Sequence, residues 1–134
     1  MTEHKMQIKI GDEIPSLAKI ATMREWTGES SRIHEDSYAK KIGMRGAILG
    51  GSILYSYLVE MLYSCFGDRW FNHGEASVSF IGGGVIAGDR VIMKGMIKDK
   101  KPEDLGTRLS LDIWMENETN GKKVVVGTAS CLVS

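Results

Sequence analysis

Cysteine is scarce in this chain. Cys65 and Cys131 are its two copies among 134 residues, and no short spacing links them. That excludes a disulfide-dense scaffold and a zinc site built on cysteine pairs. Charge of one sign is missing too: 17 Lys and Arg residues balance 17 Asp and Glu residues. A neutral chain with no basic run lacks the electrostatic footprint of a nucleic-acid binder. No stretch reaches the ~18 consecutive apolar residues of a membrane span. The opening residues, Met1 to Gly11, are polar and charged, unlike the apolar core of a secretory leader. A cytoplasmic protein with both thiols reduced and buried is therefore expected. Repeats and low-complexity tracts are absent.

What is present suffices for a core. Hydrophobic residues make up 43% of the chain, too many for disorder. The length suits a single domain over residues 1–134. Met6 to Ile10 alternates apolar and polar side chains, which predicts a half-buried strand. Gly11 to Pro15 punctuates it, and Leu17 to Trp26 reads equally as a strand or an irregular extended piece. Thr27 to Arg32 is turn-like. His34 to Lys41 reads as a short helix with Asp36 as its cap.

The clearest element follows. From Gly50 to Cys65, the residues Leu54, Tyr57, Leu58, Met61, Leu62 and Cys65 repeat with the rhythm of one helical face. Ile53, Tyr55 and Val59 extend the apolar surface, leaving a narrow polar stripe of Ser52, Ser56, Glu60 and Ser64. Such a helix is expected to be covered on nearly all sides. After Gly67 the period changes to two. Strands are expected at Glu75 to Phe80, Arg90 to Lys98, Arg108 to Glu116 and Lys123 to Val133. Asp99 to Gly106 reads as a charged loop, and Asn120-Gly121 as a hairpin turn in which both residues tolerate positive φ. Short connections make antiparallel neighbours. The expected class is α+β, a curved antiparallel sheet wrapped around one long buried helix. A sheet covering one side of a helix, as in cystatins, is the competing architecture.

Three features bear on chemistry. Glu29 and His34 lie together in the polar segment before the helix. A carboxylate and an imidazole are the usual partners for moving protons near neutral pH, although isolated loop residues of these types are often simply solvated. Gly50-Gly51-Ser52 opens the helix. Unbonded backbone N–H groups there carry the positive end of the helix dipole and can hold a carbonyl oxygen as charge builds on it. Two glycines also serve a tight turn or close packing. Glu60 lies on the polar stripe, where pairing or snorkelling is the plainer expectation. His4 and His73 have no partners at metal-ligand spacing, so no metal is expected. Gly82-Gly83-Gly84 precedes no helix and is no phosphate loop.

From Thr27 to Ser134 these residues, in this order, resemble the MaoC-like dehydratases, the (R)-specific enoyl-CoA hydratase branch of the hotdog superfamily. The family motif S-G-D-x-N-P-[IL]-H matches Thr27-Gly28-Glu29-Ser30-Ser31-Arg32-Ile33-His34, followed by Asp36 and Tyr38-Ala39. Gly46-Ala47-Ile48-Leu49-Gly50-Gly51-Ser52 resembles the family's helix approach G-x-I-x-H-G-M. Phe80-Ile81 with Gly88-Asp89 resembles F-x-x-P-V-x-x-G-D, one residue longer and without the Pro. Asn120-Gly121 to Ala129 resembles the closing N-G hairpin. The chain departs from the family at Glu29 in place of Asp, at Ser31-Arg32 in place of Asn-Pro, and at Gly50 in place of His.

The resemblance implies a hotdog fold and a hydratase or dehydratase acting on an enoyl thioester of CoA or a carrier protein. Glu29 and His34 would activate the water, and the N–H of Gly51 would hold the thioester oxygen. Ser31 and Ser52 would position substrate. No cofactor is implied, and a homodimer or higher homo-oligomer is expected from sheets continued edge to edge. Two alternatives stay open: an acyl-CoA thioesterase using Glu60, and a non-catalytic hotdog that binds acyl thioesters.

Overall fold

The computed structural model describes residues 8–22 and 48–134. Strand β1 is Leu17–Ile20. Helix α1 is Gly51–Phe66 and helix α2 is Asp68–His73. Strands β2, β3, β4 and β5 are Gly74–Phe80, Arg90–Glu103, Gly106–Asn117 and Lys122–Val133. The strands form a single antiparallel sheet in the order β1-β3-β4-β5-β2.

Periodicity explains how helix and sheet meet. Along β4 the odd positions Leu109, Leu111, Ile113 and Met115 are buried, because alternate side chains of a strand share a face. Val91, Met93 and Ile97 of β3 and Ala129 and Cys131 of β5 join the same core cluster. Helix α1 adds Leu54, Tyr57, Leu58, Met61, Leu62 and Phe66 to it. The opposite face of the sheet is solvated. Lys94 pairs with Glu116 there at 3.2 Å, Trp114 Nε1–H donates to Glu116 at 2.7 Å, and Lys123 sits 4.9 Å over the Trp114 ring. The Trp114 hydrogen bond and Lys94 hold the Glu116 carboxyl below its ordinary range.

The expectation of a curved sheet wrapped around a buried helix is not met. The sheet is open: among the described residues β1 and β2 are its two edges, each bonded to a single neighbour. It does not curl around α1, which lies on one face. Ser52, Ser56, Glu60, Tyr63 and Ser64 are exposed on the far side, and Ile53, Tyr55, Val59 and Cys65 are half-buried along the flanks. The physical reason is geometric. A helix about 10–12 Å across meets an open sheet along one side only, so flanking apolar residues cover themselves partly with their neighbours and need no wrap.

Other details shift as well. Residues 8–10 form no strand. The Asp12 carboxylate accepts the Lys9 N–H at 2.9 Å, and Asp12 N–H returns to Lys9 O at 3.0 Å, so the chain turns there. The strand lies instead in the ambiguous stretch, at Leu17–Ile20. The charged segment 99–103 continues β3, paired with β4 from Asp99↔Ser110 to Glu103↔Gly106. A hairpin arm projecting into solvent needs strand pairing but no apolar face, so its charge does not make it a loop. The β4–β5 hairpin forms as expected, yet only Gly121 has positive φ, because residues 118–121 make a wider loop. The short helix expected at His34 to Lys41 lies outside the described residues. Among the described residues no helix is long and apolar enough to cross a membrane.

Candidate functional site

The site is built at the amino end of α1. Leu49 is buried and donates its N–H to Val85 O at 2.7 Å, which fixes the approach to the helix. Gly50 caps the helix with extended backbone (φ −68°, ψ 154°) and offers no side chain. Its carbonyl accepts the N–H groups of Ile53 (3.0 Å) and Leu54 (3.3 Å). Among the described residues, the N–H groups of Gly51 and Ser52 find no acceptor. The first turn holds no acidic residue. Among the described residues, neither a side-chain cap nor a first-turn carboxylate neutralises the positive end of the dipole.

An aromatic ring defines one wall. A Cβ on Gly51 would lie 2.9 Å from Cζ of Phe80, so the ring at the end of β2 rests against the bare glycine. Phe80 is 53% exposed despite its size. In the sequence Phe80 stands at the end of an expected strand and in the Phe80-Ile81 motif. Its alternation with Ala76 and Val78 assigned it a face of the strand, but nothing local showed that the strand's end reaches the helix pole. Ser52 is exposed in the same first turn.

Glu60 lies elsewhere. It stands nine positions beyond Gly51, roughly 13 Å along the helix axis at ~1.5 Å per residue. Its carboxylate accepts two bonds from Lys19 Nζ, at 2.8 and 3.1 Å, and Lys19 Nζ sits 4.7 Å from the Tyr57 ring. The structure thus ties Glu60 to β1 and does not bring it to the pole.

Glu29, Ser31 and His34 lie outside the described residues. Cys65 and Cys131 are free thiols, Cys65 half-buried and Cys131 buried. Burial pushes each up to about 11, with Cys131 adding to the shift at Cys65, so neither is a thiolate nucleophile near neutral pH. Among the described residues, no three His, Cys, Asp or Glu side chains gather as a metal site.

No family model matches the chain, and no curated protein matches it. Solved structures do. The R-hydratase PhaJ1 from Pseudomonas aeruginosa superposes with a TM-score of 0.71 at 15% identity, over 94% of this chain and 82% of that one. A MaoC-like dehydratase superposes with a TM-score of 0.76 at 19% identity, over 96% of this chain and 41% of that longer chain. A thioesterase superfamily member from Thermus thermophilus gives 0.61 at 13% identity, over 95% and 85%. The open antiparallel sheet carrying one long helix is thus the hotdog fold, which this chain shares with R-hydratases and MaoC-like dehydratases.

Proposed function

We propose that the chain is a hydratase or dehydratase that adds or removes water across the 2,3 double bond of an enoyl thioester of CoA or a carrier protein. One observation carries this reading: the glycine-lined amino end of α1, with two N–H groups unbonded among the described residues and no neutralising side chain. In this reading the thioester oxygen docks at the Gly51 N–H. His34 and Glu29 hold and activate the water that attacks the β-carbon. The same pair returns a proton to the α-carbon, and Ser31 and Ser52 orient the substrate. As negative charge moves onto the oxygen, the fixed donor and the helix dipole strengthen their hold. Losing one such donor typically costs on the order of 3 kcal/mol of barrier. The acid–base pair contributes roughly 10²–10⁴-fold. No metal or redox step is needed.

The resemblance of the Thr27 to His34 motif and the fold shared with R-hydratases support the same assignment. The thioesterase reading needs Glu60 as a free carboxylate, and its bond to Lys19 speaks against that role. The proposal includes one cytoplasmic domain that assembles as a homodimer through an open sheet edge. Strand β2, with seven residues against four in β1, offers the longer row of backbone groups unpaired among the described residues.

The test is direct. The protein is incubated with short and medium trans-2-enoyl-CoAs and with saturated acyl-CoAs, while enoyl absorbance and free thiol are followed together. Loss of enoyl absorbance that falls by about 10²-fold or more in His34→Ala and in Glu29→Gln is the expected result. Thiol release from saturated acyl-CoA, abolished by Glu60→Gln, would install the thioesterase reading instead. Binding with neither signal would leave a non-catalytic acyl-thioester binder.

A further inference from the structure

A buried carboxylate remains that the proposed chemistry does not use. Asp89 is 3% exposed and Asn117 is fully buried. Asp89 Oδ2 accepts Asn117 Nδ2–H at 2.9 Å and the Ile86 backbone N–H at 3.0 Å. Asn117 Nδ2 also reaches Gly84 O at 3.4 Å, and its Oδ1 accepts the Thr119 N–H at 3.1 Å. Burying a carboxylate is costly unless it is fully hydrogen-bonded, and an apolar group of like volume is often at least as stabilising. A network of this kind therefore points to a required geometry.

The geometry it sets is that of residues 81–89, the loop from β2 to β3. Gly82, Gly83 and Gly84 all have positive φ (68°, 43° and 69°), so the loop does not hold its shape through ordinary backbone preferences. The loop in turn grips two distant parts of the chain. Gly88 N–H donates to Ala21 O and Ala21 N–H donates to Asp89 O, both at 2.8 Å. Leu49 N–H donates to Val85 O at 2.7 Å, and Ile48 bridges to Ile86. Residues 21–22 and 48–49 flank the stretch 23–47, in which Glu29 and His34 occur. Leu49 leads into the helix pole at Gly51.

We infer that Asp89 is a positioning residue: through the 81–89 loop it clamps residues 21–22 and 48–49, the described residues that flank the 23–47 stretch, the latter leading into the amino end of α1. The clamp itself stands on the described residues. Its relevance to catalysis rests on the hydratase reading above.

Amide hydrogen exchange tests the clamp without any activity. In the wild-type protein, the Ala21, Gly88 and Leu49 amides should open as one unit with a common dependence on denaturant. In Asp89→Ala those three should exchange about tenfold faster or more, while the Leu111 and Ala129 amides of the central strands keep their rates. Three separate denaturant dependences in the wild type, unchanged rates at the three amides, or equal acceleration in the central strands would each overturn the clamp. Should Asp89→Ala fail to fold, Asn117→Ala takes its place and the wild-type comparison still decides. The positioning role is read kinetically. With the amides loosened, kcat for enoyl hydration should fall about tenfold or more while KM moves less than about threefold. Unchanged kcat would overturn that role. A wild-type protein that hydrates no enoyl thioester would refute the functional reading instead, and the exchange result alone would then judge the clamp.

Discussion

The two ends of α1 are built on opposite terms. Toward its carboxyl end, Leu58, Met61 and Leu62 are buried against the sheet, Phe66 closes the contact, and Gly67 donates its N–H back to Tyr63 O at 2.7 Å before α2 begins. Toward its amino end there is no capping side chain, no acidic residue and no Cβ at the first helical position. The carboxyl end has packing and a backbone cap, though no basic residue in its last turn; the amino end has neither a capping side chain nor an acidic residue. The contrast teaches where stability and function are expected to separate. Packing at the far end holds the helix in place, which lets the near end keep donors that are unbonded among the described residues.

The largest effect should come from the packed end. Leu58 is fully buried, so Leu58→Ala removes both transfer energy and packing, for a loss of about 2–5 kcal/mol. A urea titration should show the lowered midpoint, and any activity left at low denaturant should keep its wild-type KM. A stability loss below about 1 kcal/mol would mean that this end is not the anchor.

The amino end should respond in the reverse manner. Gly51 is the first helical residue, where proline is tolerated, and Gly50 already has the extended backbone that a following proline requires. Gly51→Pro therefore removes one N–H that is unbonded among the described residues, and its Cβ presses on the Phe80 ring as that of Gly51→Ala does. Under the hydratase reading kcat should fall by about 10²–10³ relative to Gly51→Ala, roughly 3–4 kcal/mol of barrier, while the two variants keep similar thermal midpoints. Gly51→Ala restores the N–H and controls for the added side chain. Equal activity in the proline and alanine variants would remove Gly51 from the oxyanion role.

Much of this contrast was legible in the sequence, and some was not. The apolar rhythm of Leu54, Tyr57, Leu58, Met61 and Leu62 is local, so it located α1 and its sheet-facing side. The Gly50-Gly51 pair likewise marked the pole. The period of two found β2, β4 and β5 with boundaries close to those observed. The degree of coverage was misjudged, because Ile53, Tyr55 and Val59 are apolar yet only half-buried. Residue type reports what can be buried, and the open sheet decides what is. Contacts between distant segments left no local trace. Lys19 meets Glu60 across 41 positions and Asn117 meets Asp89 across 28. The Phe80 ring against Gly51 is of the same kind.

That last contact gives a finer test of the pole. A Cβ at position 51 would press on the far tip of the Phe80 ring, which can swing aside because the side chain is half exposed. Gly51→Ala and Phe80→Ala should therefore be coupled. A double-mutant cycle should return about 0.5–3 kcal/mol of interaction in chemical unfolding. Strict additivity would show that ring and glycine are independent, and Phe80 would no longer count as a wall of the site.

The smallest expected effect is at Glu60, midway between the two ends. Its partner Lys19 is fixed from two sides, by the carboxylate and by the Tyr57 ring, and Tyr57 in turn exchanges hydrogen bonds with the backbone of Thr22. The pair thus fastens the edge strand β1 to the helix. Both side chains remain substantially exposed, at 30% and 49%, so solvent screens the attraction and the contribution should be about 0–1 kcal/mol. Glu60→Gln should lower stability by no more than that, and the difference should shrink in high salt, where exposed charges are screened. Enoyl hydration should be unchanged, since roughly 13 Å of helix separates this carboxylate from Gly51. If Glu60→Gln abolished turnover while stability held, the chemistry would belong to the middle of the helix, and the unneutralised pole would need another explanation.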